Sequence, residues 1–453
     1  MPALRLSVIG CGHVGLVTGA CFAAIGHQVR CADGNLNRIR LLNQRALPIS
    51  EPQLDSLIHR GLSDGSLEFI SDVEASGRNA EAAFFCVGVP QLDTGESDFS
   101  ALDSALRLFA RGAEATTLVV QRSTVPVQTS EQLKRLLAVY SRNAQAEFRV
   151  AANPQLLRQG TAIQDFLHPD RLLIGVEDEG SEILLRQIYA PILERRFSCP
   201  VHSGLCPSAG APELIFASLS SAELIKQVSN AFLALKISYA NVLADLCERL
   251  GADVEEVTHA IGLDSRIGSA FFGAGIGFGG SRLPNDLCAF RRLLERMGVD
   301  SGIVQAVEAV NHRRVEIFLE KVRQTLWVLK GKRIGLLGLA HKANTDDVRQ
   351  SPGIELCNLL KAAGSHVQAY DPAAMPNARA IYPDLSLLAD AYAAADRADA
   401  LLITTDWDEF RDLDWARVRD VMIRPLILDG RNLLSASQLK SLGFEYHCVG
   451  RPD

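Results

Sequence analysis

Short runs of apolar, strand-forming residues recur along the chain, and each is followed by a stretch whose apolar positions repeat with helical spacing. "LRLSVIG", "HQVRCAD", "AAFFCVG" and "TTLVVQRST" are such runs in the first part of the sequence. Alternation of this kind predicts a parallel sheet with helices on both faces. It holds to about residue 180, where a Gly/Pro/Ser-rich stretch, "CPVHSGLCPSAGAPE", intervenes. From near Ser221 the run "SAELIKQVSNAFLALKISYANVLADLCERLGA" continues without proline to Gly251. It predicts one long helix with a glycine terminator, able to link domains and to pair two subunits. A further strand-and-turn unit opens at "KRIGLLGLA", and "HVQAYD", "ALLITT" and "LILDG" follow it. The expected architecture is α/β: two doubly wound domains, 1–207 and 321–453, joined by a central helical domain, 208–320.

The first turn carries chemistry. "VIGCGHVG" places Gly10, Gly12 and Gly15 in G-x-G-x-x-G spacing, directly after a strand and opening a helix. Such glycines allow a tight turn and let backbone approach a pyrophosphate, which the helix N-terminus attracts through its free N–H groups and dipole. Asp33 ends the next strand, 18 residues after Gly15. A carboxylate there accepts from the ribose hydroxyls and repels a 2′-phosphate, which favours NAD over NADP. Arg30 and Asn35 beside it leave that choice open. The doubly wound domains are thus expected to be Rossmann-like, the first of them binding NAD.

Composition removes alternatives. A chain of 453 residues exceeds one ordinary core. Its 46 basic and 53 acidic residues form no long runs, so neither nucleic acid nor an anionic membrane is an expected partner. No stretch approaches the ~18 to 20 apolar residues that span a bilayer. The opening "MPALRLSVIGCGHVG" lacks the features of a signal peptide, so a cytoplasmic location is expected. The ten cysteines show neither zinc-site spacing nor disulfide density, and are expected to be reduced and buried, with no metal bound.

Beyond the glycine turn, "GCGHVGLVTGACFAAIGH", "LPISEP", "CVGVPQ", "RSTVPV", "NPQLLRQGTAIQDFLHPDRLLIG", "SAELIKQVSNAFLALKIS", "GLDSRIG", "GFGGSRLPND", "GLAHKANTDDVRQSPGIEL" and "ILDGRNLL" follow in order. This series resembles the UDP-glucose/GDP-mannose dehydrogenase family over nearly the whole chain, and "LDSRIG" and "HKANTDD" resemble its UDP-glucose branch. The resemblance implies oxidation of the C6 hydroxyl of a nucleotide sugar, a UDP-hexose first among candidates, with NAD as hydride acceptor and a homodimer as the working form. In the family an alcohol-to-aldehyde step precedes capture of the aldehyde by a cysteine and hydrolysis of the resulting thioester.

The resemblance assigns Gly10, Gly12, Val14, Gly15, Asp33, Val89, Pro90 and Thr124 to the cofactor, and Thr124, Lys226, Asn230 and Asp286 to the first oxidation. Lys226 and Asn230 are i, i+4 on the predicted long helix and can face one site. Leu156, Phe278 and Gly279 join Lys226 and Asn230 around the sugar, with Arg266 reaching the site of the adjacent subunit. Lys342 and Arg431 would neutralise the diphosphate, with Asn344 and Arg349 as neighbours. The residues implied for the second step are replaced. Arg282 stands where "GFGGSCFPKD" has its cysteine, Leu283 and Asn285 replace phenylalanine and lysine, and Gln155 and Gln159 replace the glutamates of "NPEFLREG". A guanidinium offers no nucleophile and an amide cannot take a proton from water. Cys288, nearby, is expected to be a buried structural thiol. His341 replaces a phenylalanine and Val89 a threonine, which leaves the identity of the sugar open. The expected function is alcohol/aldehyde interconversion at C6; a redox-neutral epimerase working through a transient aldehyde and a non-catalytic nucleotide-sugar-binding paralogue are the alternatives.

Overall fold

The computed structural model describes residues 3–90, 92, 97–141, 143, 146–202 and 210–452. It divides into two compact units, Met1–Gln227 and Val228–Asp453. The first is built on strands β1 Arg5–Ile9, β2 Gln28–Ala32, β3 Leu67–Ile70, β4 Ala82–Phe85, β5 Thr117–Gln121, β6 Phe148–Ala152, β7 Arg171–Gly175 and β8 Glu213–Ala217. They lie in the order β3-β2-β1-β4-β5-β6-β7-β8. The strand order reverses between β1 and β4, which run parallel, and this is the position at which an open α/β sheet offers a crevice beyond its strand ends. Every pairing is parallel except β6 with β7, which departs from the all-parallel expectation.

Side-chain alternation along a strand explains the helices on both faces. In β4, Ala82 and Phe84 enter one core with Leu118 and Val120 of β5, while Ala83 and Phe85 enter the opposite core with Val119. The first helix, His13–Ala24, buries Phe22 against Phe84, Phe166 and Tyr189, with ring centroids 4.7, 5.2 and 5.5 Å away. Truncating a buried aromatic of this kind costs about 3–5 kcal/mol.

The second unit repeats the scheme with β9 Arg333–Leu337, β10 His366–Tyr370, β11 Ser386–Leu387, β12 Ala400–Ile403, β13 Leu426–Asp429 and β14 Glu445–Cys448, in the order β11-β10-β9-β12-β13-β14. Leu336, Leu402 and Leu428 face one core, and Leu337, Leu401 and Ile427 the other. Its helical part consists of Val254–Gly262, Arg282–Arg296, Gly302–Leu326 and the greater part of the long central helix, Leu219–Leu250. That helix ends as expected at Gly251, whose φ of 69° suits glycine. The unit boundary falls within it, at Gln227/Val228. Of the boundaries expected from sequence, 207/208 lies outside the described residues and 320/321 falls inside the helix Gly302–Leu326. Seven of the nine described cysteines are buried and all nine are free thiols; Cys199 and Cys288 are half-buried. Among the described residues no helix is long and apolar enough to cross a membrane.

Candidate functional site

The cofactor residues named above sit at or just beyond the carboxyl ends of β1, β2, β4 and β5. A Cβ at Gly15 would lie 1.7 Å from the Gly10 carbonyl oxygen, so only glycine lets the helix start this close to the strand end. Gly10, at φ 95°, lies against the Cys86 backbone, where a Cβ would approach to 3.0 Å. Gly12 differs: a Cβ there would meet nothing within 4 Å, so this backbone faces open space, as a turn must to admit a pyrophosphate. Val14 lies in the first turn of the helix, partly packed on the core. Asp33 accepts from the Cys11 N–H at 2.7 Å and from Arg38 Nη1 at 2.9 Å through Oδ2, and from the Asn35 N–H through Oδ1. The carboxylate expected to take ribose hydroxyls therefore also fastens the glycine turn, and a basic partner, Arg38, stands beside it. Arg30 is paired instead with Glu68, and the Asn35 side chain caps the helix Leu36–Asn43. Val89 packs partly against the second core of this unit, and Pro90 is exposed. These residues fit a dinucleotide.

Three long-range clamps, none visible as a local motif, position the rest of this half. Buried Glu51 accepts from the Gly160 N–H at 2.9 Å and the Ala162 N–H at 2.8 Å, and pairs with His13 at 2.7 Å. It thus ties the loop carrying Gln155 and Gln159 to the first turn of the cofactor helix. Buried Arg122 reaches Thr18, Asn153 and Tyr189 and lies over the Phe166 ring, joining the end of β5 to the end of β6 and to three helices. Glu223, on the central helix, accepts from the N–H groups of Gln128 and Ser130 at 2.6 and 2.8 Å and from the Ser130 hydroxyl. Gln227 adds a bond to the Val125 carbonyl at 3.1 Å. Half-buried Thr124 and buried Lys226 are therefore held on two segments bolted together by residues that flank Lys226 and residues just after Thr124. Burial pushes the Glu223 carboxyl above its usual range, with the Ser130 and Gln128 hydrogen bonds opposing. Gln155 is buried and spends its amide oxygen on the Leu157 N–H at 2.9 Å; Leu156 lines a small cavity with Arg122, Asn153 and Phe166.

In the second unit, Asn230 donates to Asp286 Oδ2 at 2.5 Å, and both residues are buried. Asp286 lies in the first turns of the helix Arg282–Arg296, which follows the glycine loop 277–281. That loop is held from three sides. Asn311 accepts from the Phe278 N–H and donates to its carbonyl, Arg431 donates to the Gly277 carbonyl at 2.8 Å, and the Gly280 N–H donates to Arg349. Gly279 and Gly280 are needed for closeness: a Cβ would come 2.0 Å from the Gln350 carbonyl in the first case and 2.7 Å from the His341 ring in the second. Phe278 packs partly against Leu287, Val304 and Val307.

The expected phosphate ligands divide. Lys342 and Asn344 lie in the loop after β9, whose Leu339 and Ala340 N–H groups are anchored on buried Asp371. Arg349 turns its fork onto Asp347, at 2.8 and 2.6 Å. Burial would raise the Asp347 carboxyl, but Arg349 outweighs it and holds it at about 2. Arg431 donates to the Thr404 and Gly277 carbonyls, while its Nη2 is shielded and lacks a hydrogen-bond partner among the described residues. Arg266 is exposed on the loop after the helix Val254–Gly262 and pairs with its neighbour Asp264. Cys288, expected to be buried, is half-buried with Arg291 Nη2 3.8 Å from its sulfur. One helical turn after Asn285 it faces a charged side chain, which keeps that side open.

Three family models match successive parts of the chain: the UDP-glucose/GDP-mannose dehydrogenase NAD-binding domain at residues 4–193, the central domain at 220–313 and the UDP-binding domain at 335–436. The chain is 40% identical to UDP-glucose 6-dehydrogenase of Rickettsia bellii over 99% of both chains. It is 39% identical to that of Rhizobium meliloti, over 99% of this chain and 100% of the relative. A UDP-glucose dehydrogenase from Pyrobaculum islandicum superposes with a TM-score of 0.86 at 36% identity, covering 95% of each chain. The chain belongs to the UDP-glucose/GDP-mannose dehydrogenase family. It is an NAD-dependent nucleotide-sugar dehydrogenase of that family's UDP-glucose branch, and its two sheets carry the cofactor and UDP-sugar domains.

Within this dehydrogenase, the position of Arg282 has a plain electrostatic meaning. It is the first residue of the helix Arg282–Arg296, after Ser281 as N-cap. A helix N-terminus favours an anion and lowers the pKa of a thiol placed there, whereas a cation there is disfavoured by about 0.3–1 kcal/mol.

Proposed function

We propose that this dehydrogenase interconverts a C6 alcohol and aldehyde on a nucleotide sugar and has no covalent route from the aldehyde to the acid. The observation that carries the proposal is the arrangement at the start of the helix Arg282–Arg296. The buried Asn230–Asp286 pair that suits the first oxidation is intact, while four residues before Asp286 stands an arginine.

Asp286, acting through a water with Thr124, accepts the hydroxyl proton. Lys226 and Asn230, one turn apart on the central helix, steady the oxygen as charge develops on it. NAD, when bound, supplies the hydride acceptor. The second step asks for a thiolate to form a hemithioacetal and for a base to deliver water. A guanidinium stays protonated and a glutamine side chain takes no proton, so Arg282, Gln155 and Gln159 support neither act. A cation kept at a helix N-terminus against the dipole has a use if the substrate brings a negative group to it, which favours an acidic or otherwise altered sugar over glucose.

Residues 1–207 hold the cofactor in this scheme and supply Thr124, 208–320 carry Lys226, Asn230 and Asp286, and 321–453 hold the nucleotide. Lys342 and the unused Nη2 of Arg431 neutralise the diphosphate. The working form is a homodimer: Phe232, Tyr239, Val242, Leu246 and Leu250 form an exposed apolar stripe on one face of the central helix, the kind of surface that associates. Arg266 serves the adjacent subunit.

The test is the yield of NADH per nucleotide sugar across a panel of UDP sugars, with a hydrazine present to trap aldehyde. One NADH with a trapped hydrazone is expected; two NADH with a uronic acid would refute the proposal.

A further inference from the structure

His168, Cys199 and His202 converge in the first unit, outside every residue assigned above to cofactor or substrate. The Cys199 sulfur lies 3.1 Å from His168 Nε2 and 3.4 Å from His202 Nδ1. All three donor atoms lie within 4.8 Å of one another, and the three residues are half-buried. His168 follows the helix Ala162–Leu167, just before β7. Cys199 and His202 lie in the segment that leaves the helix Glu179–Leu193 toward β8. Phe197 packs on the His168 ring at 5.7 Å, and the two imidazole rings are 5.3 Å apart at 64°.

Hydrogen bonding alone is a weak reason for two imidazoles to share one sulfur, since a thiol has one poor donor and a poor acceptor. Metal coordination is a stronger one. Bonds of about 2.3 Å to sulfur and about 2.0–2.1 Å to nitrogen at tetrahedral angles give sulfur-to-nitrogen edges of about 3.6 Å. The observed edges are close to that. The donor set is sulfur and nitrogen, without oxygen, which disfavours Mg2+ and Ca2+ and suits a borderline-soft ion with tetrahedral preference.

We propose that His168, Cys199 and His202 bind a single transition-metal dication, Zn2+ by preference, with a water or exogenous ligand completing the tetrahedron. Binding displaces the Cys199 thiol proton to solvent, so affinity rises with pH. The ion staples the segment before β8 to the end of the helix Ala162–Leu167. It cross-links residues 168 and 199 at the two ends of the stretch that carries β7 and the helix Glu179–Leu193, and it stabilises the folded chain by mass action.

The full-length protein, reduced and stripped with a chelator, is titrated with Zn2+ against a chromophoric competitor and separately with Co2+. Expected are one ion per chain, a rise in Tm with Zn2+, and a thiolate-to-cobalt charge-transfer band. Cys199→Ser, nearly isosteric, should abolish the band and weaken Zn2+ at least tenfold. His168→Gln should keep the band and weaken Zn2+ by a similar factor. The proposal is overturned if the parent chain takes up no stoichiometric Zn2+, or if Cys199→Ser binds Zn2+ undiminished. Either result leaves the dehydrogenase reading untouched, because NADH formation is not the readout.

Discussion

Arg282 and Asp286 are four residues apart at the start of one helix, yet their surroundings ask opposite things of them. Asp286 is buried against Asn230 Nδ2, a donor that fixes its carboxylate and leaves lone pairs for a proton or a water. Arg282 sits where the helix end would stabilise negative charge. The proposed proton acceptor is thus a residue in which position and chemistry agree. Asp286→Asn keeps the shape and removes the base, so kcat for hydride transfer should fall by about 10²–10⁴-fold while NAD affinity is unchanged. Stopped-flow NADH formation with isothermal titration of NAD checks both halves of that expectation. Asn230→Ala should lower kcat too, because it removes the hydrogen bond that fixes the buried Asp286 carboxylate.

At the scale of elements, the loop 277–281 is positioned by partners far away in sequence, and His341 is one that titrates. Its ring fills the space a Cβ at Gly280 would need, and its Nδ1 donates to the Asp347 carbonyl at 3.0 Å. Burial pushes its pKa below the ordinary 6.5, with Asp347 opposing and Lys342 and Arg431 reinforcing the shift. As pH falls through 6.5 the unfolded chain takes up the proton before the folded one does, so the stability His341 contributes is present above that pH and lost below it. His341→Phe should therefore lose less stability than the parent between pH 7.5 and 5.5, measured by denaturant unfolding; an equal loss would show that His341 is not the titrating group. The elements legible in sequence were those with strong local signals. β1, β4 and β5 are mostly apolar runs, β2 alternates polar and apolar residues beside the glycine turn, and the central helix lacks any internal proline or glycine over Leu219–Leu250. β3, "LEFI", and β14, "EYHC", are only four residues long and carry one and two polar residues, too short a run to stand out from sequence. The glycine turn was legible because its function depends on spacing. Glu51 and Glu223 were not, because their partners lie 109 and 95 residues away. The triad of His168, Cys199 and His202 was hidden for the same reason, 31 residues separating its first two members.

For the whole molecule, two doubly wound units share one helix, and the residues proposed to react are distributed along the chain on both sides of the Gln227/Val228 boundary. In the proposed homodimer the exposed apolar stripe on the central helix is the associating surface. Leu246→Glu, at an exposed position in the stripe, should halve the sedimenting mass without unfolding the chain, and an unchanged dimer would remove the central helix from the interface. Loss of activity in that variant is expected if Arg266 serves the neighbouring subunit. What the molecule makes depends on whether a carbonyl formed on the sugar can become bonded to the protein. The decisive measurement is intact-mass spectrometry of the full chain, acid-quenched during turnover with NAD and nucleotide sugar, beside Arg282→Cys under the same conditions. The expected result is an unmodified mass for the parent chain and a sugar-acyl adduct on Arg282→Cys, where hydrolysis is slow because Gln155 and Gln159 remain amides. An acyl adduct on the parent chain, on any side chain, would contradict it.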